Sequence, residues 1–224
     1  MPTRPRGRPK SDPDRDLRGD LLRTGRMLLD EGGVAALTMR ELARRAGCTH
    51  QAPYHYFEDR ETLLAALVVE GFTELAHQLR AANDVAPARG ARAALIASGR
   101  AYVEFALAQP GVFRAMFRTD VCNPLRFPAV LAAGGAAHAE LDRLNAIAHG
   151  NQATAARASI LWAHVHGLAC LLIDGPLALG FVGQAARTRH LDDVANTFAD
   201  LMQVHGAPPG TSGHRRQAGR RPAP

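Results

Sequence analysis

Leu17, Leu21 and Leu28, with Leu22 and Leu29 beside them, recur at helical spacing. The pattern predicts a helix over residues 15–31, stopped by Gly32-Gly33. A denser set of signals follows. Thr38 with Glu41 three residues on reads as a capping box, in which each side chain satisfies an N–H at the helix start. Leu37 and Leu42 flank that cap at the spacing of a hydrophobic staple. Gly47 suits a helix end that needs positive φ, and Thr49 can cap a further helix at once. Asp59 predicts the cap of a long helix over residues 60–83, with Leu63, Leu64, Leu67, Val68, Phe72, Leu75 and Leu79 on its stripe.

The second half continues in helical period. Residues 83–90, with Pro87, read as a connection, and residues 91–109 as a helix stopped by Pro110-Gly111. A short helical turn is expected over 112–117, then a loop at Asn123-Pro124. Residues 128–149 read as a helix bent at Gly134-Gly135, since each glycine weakens a helix by about 1 kcal/mol relative to Ala. Residues 153–173 form the most apolar helix, ended by Asp174-Gly175-Pro176, and residues 190–205 the last. Ala and Leu dominate while β-branched and aromatic residues are sparse, which also points to an all-α chain.

Two short helices joined by a tight Gly-containing turn make a helix-turn-helix, whose second helix enters a DNA major groove. Its faces separate cleanly here. Pro53 and Phe57 point to a core, while His50, Gln51, Tyr54 and His55 point outward with hydrogen-bonding tips. Such a face suits phosphate oxygens and base edges better than mere solubility. Pro53 is tolerated only in a first turn, so that helix should start near Thr49 or His50.

This stretch resembles the DNA-binding domain of TetR-type transcriptional regulators: Thr38, Gly47, then Tyr54-His55-Tyr56-Phe57 and a basic residue, Arg60, opening the next helix. The family more often has Lys at the place of Arg60 and an aliphatic residue at that of Pro53. The resemblance implies a phosphate-binding charge at Arg60. Further on, Tyr102-Val103-Glu104-Phe105-Ala106, Pro110-Gly111-Val112-Phe113-Arg114 and Trp162-x-x-x-His166-Gly167 resemble the C-terminal domain of the TetR branch named WHG for its Trp, His and Gly. Together they imply an N-terminal three-helix helix-turn-helix domain and a C-terminal helical ligand-binding and dimerisation domain. The expected division is a basic arm over 1–14, the DNA-binding domain over 15–60, the helical domain over 61–205 and a basic tail over 206–224.

Charge sharpens this picture. Residues 1–10 carry +4 and residues 206–224 another +4, against a net +6, so the body between them is near −2. The arm's Arg6-Gly7-Arg8-Pro9 resembles an AT-hook core, suited to the narrow, strongly negative minor groove of A·T-rich DNA. The arm is expected to be disordered without DNA. The DNA-contacting set is therefore Thr38, Arg40, Thr49, His50, Gln51, Tyr54, His55 and Arg60, with Arg6 and Arg8 from the arm.

Cys48, Cys122 and Cys170 are isolated and the ten His scatter, so neither a disulfide framework nor a metal site is indicated, and no cofactor is expected. The chain shows no secretory signal and no apolar run long and clean enough to span a bilayer, so a cytoplasmic protein with no membrane partner is expected. No nucleophile stands with a base, no carboxylates pair in an apolar setting and no phosphate loop occurs; an enzyme is not expected.

Tyr102, Phe105, Phe113, Met116, Phe117, Trp162 and His166 are candidates for lining an apolar ligand pocket. Leu191, Val194, Ala195, Phe198, Leu201 and Met202 form a stripe at the end of the chain, expected to pair with a second copy. The partners implied are a double-stranded, near-palindromic operator, a small-molecule effector and a homodimer mate. The function expected is a ligand-responsive regulator, in the family's usual mode a repressor. The alternative is an architectural DNA-binding protein without a ligand, which would use the basic arms but not the long run of apolar helices.

Overall fold

The fold begins at Asp16, whose carboxylate accepts the Gly19 N–H at 2.9 Å and caps helix α1, Leu17–Ala36. The computed structural model describes residues 16–181 and 183–204, and among them the regular structure is helical. The arm with Arg6 and Arg8 and the tail over 206–224 lie outside the described residues. Helix α1 loses helical geometry where the glycines stand, at Gly32 and at Gly33 with φ 63°. Helix α2, Met39–Arg45, is capped by Thr38, which accepts the Glu41 N–H at 3.2 Å. Leu37 and Leu42 are both fully buried, and Gly47 ends the segment at φ 65°.

Only half of the capping box forms. The Thr38 N–H donates to the Ala36 carbonyl at 3.0 Å, while the Glu41 carboxylate accepts from Arg44 and Arg45 at 2.6–2.8 Å. Those bonds hold its pKa down at about 2. Charge-assisted bonds of this kind outcompete a neutral backbone N–H.

The expected second helix also differs. Residues Ala52–His55 make a short 3-10 turn preceded by Gln51, and Thr49 does not cap it with its side chain. Proline explains this. Pro53 has no N–H to give an α-helical bond, and its ring pushes Ala52 away from the α region. The backbone instead closes by Ala52 to Thr49 and Tyr54 to Gln51 bonds of 3.0 and 3.1 Å.

Helix α3, Arg60–Asn83, starts at Asp59 as expected, with the carboxylate accepting the Thr62 N–H at 2.7 Å. The connection after it contains one turn of helix, α4, Ala86–Arg89. Then follow α5, Ala91–Ala108, α6, Pro110–Met116, α7, Pro128–His149, α8, Ala155–Ile173, and α9, Gln184–Leu201. Helix α7 runs through Gly134-Gly135 without a break; Gly134 lies against the Phe72 ring, so α3 braces it there. Helix α9 begins at Gln184 rather than at 190.

Helix α3 is the spine, packing on α1, α5, α6 and α7. One core cluster runs from Leu21 and Leu42 through Leu67 and Val68 to Phe105 and Phe113, so the DNA-binding helices and those behind them share apolar packing. At the far end of α3 the buried Glu140 accepts from Arg80 at 2.8 Å, Asn83 at 3.1 Å and Arg143 at 3.3 Å. Burial alone would raise its pKa, but these bonds outweigh it and the net shift is downward. At the near end α6 is tied to α1: Asp30 accepts the Gly111 N–H at 2.7 Å, and Arg26 reaches Gln109 at 3.0 Å and Glu70 at 2.7 Å.

Helix α8 corrects one expectation. It is 19 residues long and, by length and composition alone, apolar enough to cross a membrane. Its strong charge is confined to Arg157 near its start, and its histidines count little against such a span. In the fold it packs on α5 and α7.

Candidate DNA-binding surface and ligand cavity

The turn after Gly47 presents the polar face that the sequence anticipates. Thr49, His50, Gln51, Tyr54 and His55 are exposed, with Arg40 also exposed on α2, while Pro53 and Phe57 are buried beneath. The His50 and Tyr54 rings lie 6.0 Å apart at a tilt, a small aromatic platform flanked by the Gln51 amide. Tyr56 is exposed as well and was not singled out; a 3-10 turn has three residues per turn, which fans successive side chains differently from an α-helix. Arg18 sits over the Phe57 ring at 5.8 Å and fixes the turn against α1.

Two of the expected contact residues are engaged within the fold. The Thr38 hydroxyl accepts a bond as a helix cap. Arg60 donates to the Leu37 carbonyl at 2.6 Å and to the Val34 carbonyl. Its guanidinium thus satisfies carbonyls where α1 gives way to α2, a positioning role beside the phosphate contact expected of it.

Behind this domain, helices α3 and α5 to α9 line a partly open cavity of about 400 Å³. The sequence-derived pocket set divides. Tyr102, Met116, Phe117 and Trp162 line it, whereas Phe105, Phe113 and His166 do not. Phe105 is core, almost wholly buried. Phe113 is wedged edge-on between Tyr102 at 5.8 Å and Phe117 at 5.2 Å. His166 stands behind the wall, its Nδ1 2.9 Å from the Tyr102 hydroxyl, which also accepts a long bond of 3.4 Å from Trp162 Nε1. Burial raises the Tyr102 pKa and lowers that of His166, so this bond joins two neutral groups.

Several lining residues escaped the sequence reading, among them Ser98, His138 and His164. Ser98 had a signal: it lies one helical turn before Tyr102, on the same face of α5. His164 stacks flat on Phe198, ring centroids 3.7 Å apart.

The stripe on α9 has a neighbour within its own chain. Leu191, Val194, Ala195 and Phe198 line the cavity of their own chain, and Met202 packs on a cluster with Leu95, Leu144 and Leu161. Only Leu201 is fully turned out, at 75 % exposure. The longer α9 lies along α5, so the stripe has an intramolecular cover that the sequence pattern could not disclose. Further outward apolar surface lies on α8, where Ile160 is 52 % and Leu171 43 % exposed. No group of three or more His, Cys, Asp or Glu is placed to hold a metal ion among the described residues.

Comparison with known proteins agrees with both halves. Residues 21–67 match the model of bacterial regulatory proteins of the TetR family, and residues 95–203 that of the tetracyclin repressor-like C-terminal domain. The HTH-type transcriptional regulator Rv1816 of Mycobacterium tuberculosis is 28 % identical over 112 residues, 50 % of this chain and 48 % of the relative. The chain thus spans about half the length of the curated relatives it matches. A Rhodococcus sp. RHA1 structure described as a protein with unknown function superposes at TM-score 0.68 with 29 % identity, covering 86 % of this chain and 96 % of that one. The TetR family transcriptional regulator PfmR of Thermus thermophilus superposes at 0.61 with 17 % identity, over 81 % and 96 %; at that identity the likeness is one of fold. With a helix-turn-helix segment and a cavity-bearing helical domain each matched in their own right, the chain belongs to the TetR family of transcriptional regulators.

Proposed function

We propose that this protein is a repressor that binds a near-palindromic operator as a homodimer and releases it when a small, largely apolar molecule enters the cavity. The observation that carries the reading is that one helix, α3, serves both parts of the chain: its first residue, Arg60, braces the junction between α1 and α2 in the helix-turn-helix domain, and Phe72, Leu75 and Leu79 form part of the cavity wall. An architectural DNA-binding protein would have no use for that cavity. The division at residues 60 and 61 marks the change of role along the chain, although α3 itself runs across it. The Trp162, His166 and Gly167 segment supports the finer placement in the WHG branch. A cytoplasmic location follows from the role.

The dimer belongs to the same reading, with a revised surface. One turn of recognition reads few base pairs, so useful specificity needs two, about one helical turn of DNA apart. The exposed face of α8, with Ile160, Ala163 and Leu171, and the end of α9 with Leu201 supply an apolar, self-complementary patch for a two-fold mate. The test is anisotropy of labelled DNA from upstream of the protein's own gene, with and without a metabolite extract, alongside sedimentation. The expected result is a dimer that binds this DNA and lets go with extract; Ile160→Asp should yield monomers with little affinity. A monomer with full affinity, or binding indifferent to every extract, refutes the scheme.

A further inference from the structure

We infer that the cavity selects an uncharged apolar molecule carrying one hydrogen-bonding oxygen, which the Ser98 hydroxyl receives. The inference rests on the effector reading above and gives its ligand a chemical class.

Ser98 is the central observation. It lies on α5 in the cavity wall, 4 % exposed, and no hydrogen bond reaches its hydroxyl among the described residues. A serine inside a helix commonly spends that hydroxyl on the carbonyl four residues back, as Ser159 does on Ala155 at 3.0 Å. Ser98 does not. The hydroxyl, uncommitted within the fold, is therefore left to pair with whatever occupies the cavity, and a ligand oxygen there can take that place. Because a hydroxyl both donates and accepts, an alcohol, ketone or ester oxygen would serve.

The rest of the wall decides the charge. Among the described residues its only Lys, Arg, Asp or Glu is Arg100, and that guanidinium is bound by Glu104 at 2.8 Å and Asp192 at 3.0 Å. An anionic headgroup therefore finds no unengaged arginine or lysine to meet it. His164, pressed flat on Phe198, is kept neutral by burial and offers no charge either. No carboxylate among the described residues lines the cavity to meet a cation. Against these stand Phe72, Tyr102, Phe117, Trp162 and Phe198 with aliphatic neighbours, a surface that repays only apolar area. The volume falls within the roughly 300–1,000 Å³ of sites that enclose drug-sized molecules.

The chain itself carries the probe. Trp162 is its only tryptophan and stands in the cavity wall, so its emission reports occupancy directly. The full-length protein is titrated with 1-decanol, decanoate and decylammonium, equal in chain length and different in charge. The alcohol is expected to saturate the Trp162 signal at a concentration at least tenfold below either ion. Ser98→Ala, a favourable helix substitution, should weaken the alcohol about tenfold. Gly99→Leu fills the cavity from a position where an added Cβ meets nothing within 4 Å, and should abolish binding without unfolding. Equal or tighter binding of either ion, no effect of Ser98→Ala, or no saturable binding of any probe overturns the inference. The underlying reading fails separately: alcohol that binds yet leaves DNA affinity unchanged refutes the effector role and keeps the ligand class. Release of DNA by extract, with no probe bound, does the reverse.

Discussion

Gly111 meets Leu29 backbone to backbone: a Cβ built on Gly111 would stand 2.5 Å from the Asp30 nitrogen and closer still to the Leu29 carbonyl. No flexible side chain is there to yield. Gly111→Ala must therefore push α6 off α1 and strain the bond from the Gly111 N–H to Asp30, at a cost of about 1–3 kcal/mol. Thermal melts should show that loss. Gly99→Ala, on an open face of α5, should hold or raise stability by up to about 1 kcal/mol. Equal melts for the two variants would contradict the close approach.

Arg60 supplies a second test, because its two possible roles differ in readout. A brace on the Leu37 and Val34 carbonyls predicts that Arg60→Ala lowers stability by about 1–3 kcal/mol, leaving acceptors unpaired. Arg60→Lys keeps the charge but cannot span both carbonyls, so its melt should fall between. A phosphate contact predicts an unchanged melt and a DNA affinity reduced alike on every sequence.

Gln51 is the best-placed base reader, since a Gln amide can pair with adenine N6 and N7. Gln51→Ala should relax preference at one operator position by about 1–3 kcal/mol and leave the others intact. Selection of bound sites from a random library reads this out position by position.

The arm is probed by salt. Each phosphate neutralised contributes roughly 0.9 to the slope of log K against log salt. Removing residues 1–10, with their four positive charges, should flatten that slope without altering the melt, and more so on A·T-rich flanks. An arm that only solubilises would leave the slope unchanged.

Acid should loosen the cavity wall through histidine. Burial lowers the pKa of His164 and of His166 below the ordinary 6.5. As pH falls through 6.5 the unfolded chain takes up these protons first, so stability drops with pH. Melting temperature should thus rise from about pH 5.5 to 7.5. His164→Phe keeps the stack on Phe198 and should make that rise shallower; an identical pH profile would exclude His164 from it.

What could be read in advance was whatever one stretch of chain settles by itself. Asp59 and Thr38 cap their helices because the bond spans three residues, and Gly33 and Gly47 stand where φ turns positive. Partners far along the chain were invisible. Arg60 bonds carbonyls 23 and 26 residues away, and nothing near Arg60 announces them. The α9 stripe was legible as a stripe but not as a lining, since periodicity defines a face and not what the face meets. Ser98 was passed over because one small polar residue barely disturbs an apolar helix pattern. The aromatic candidates divided for a related reason: Phe113 and Trp162 look alike in a sequence, and only packing makes one core and the other wall.

Helix α3 is one uninterrupted element of 24 residues, which at 1.5 Å per residue makes it about 36 Å long. Its Asn83 end is held by the buried Glu140 network, while at its other end Asp59 caps it and Arg60 holds the junction between α1 and α2. A rod anchored so is a lever arm. A tilt of about 5° at the Asn83 end carries the Arg60 end, and the helices packed on it, through about 3 Å over that length. In the proposed dimer the two sweeps would add, and the pair of turns would act as a caliper whose opening an occupant of the cavity could set.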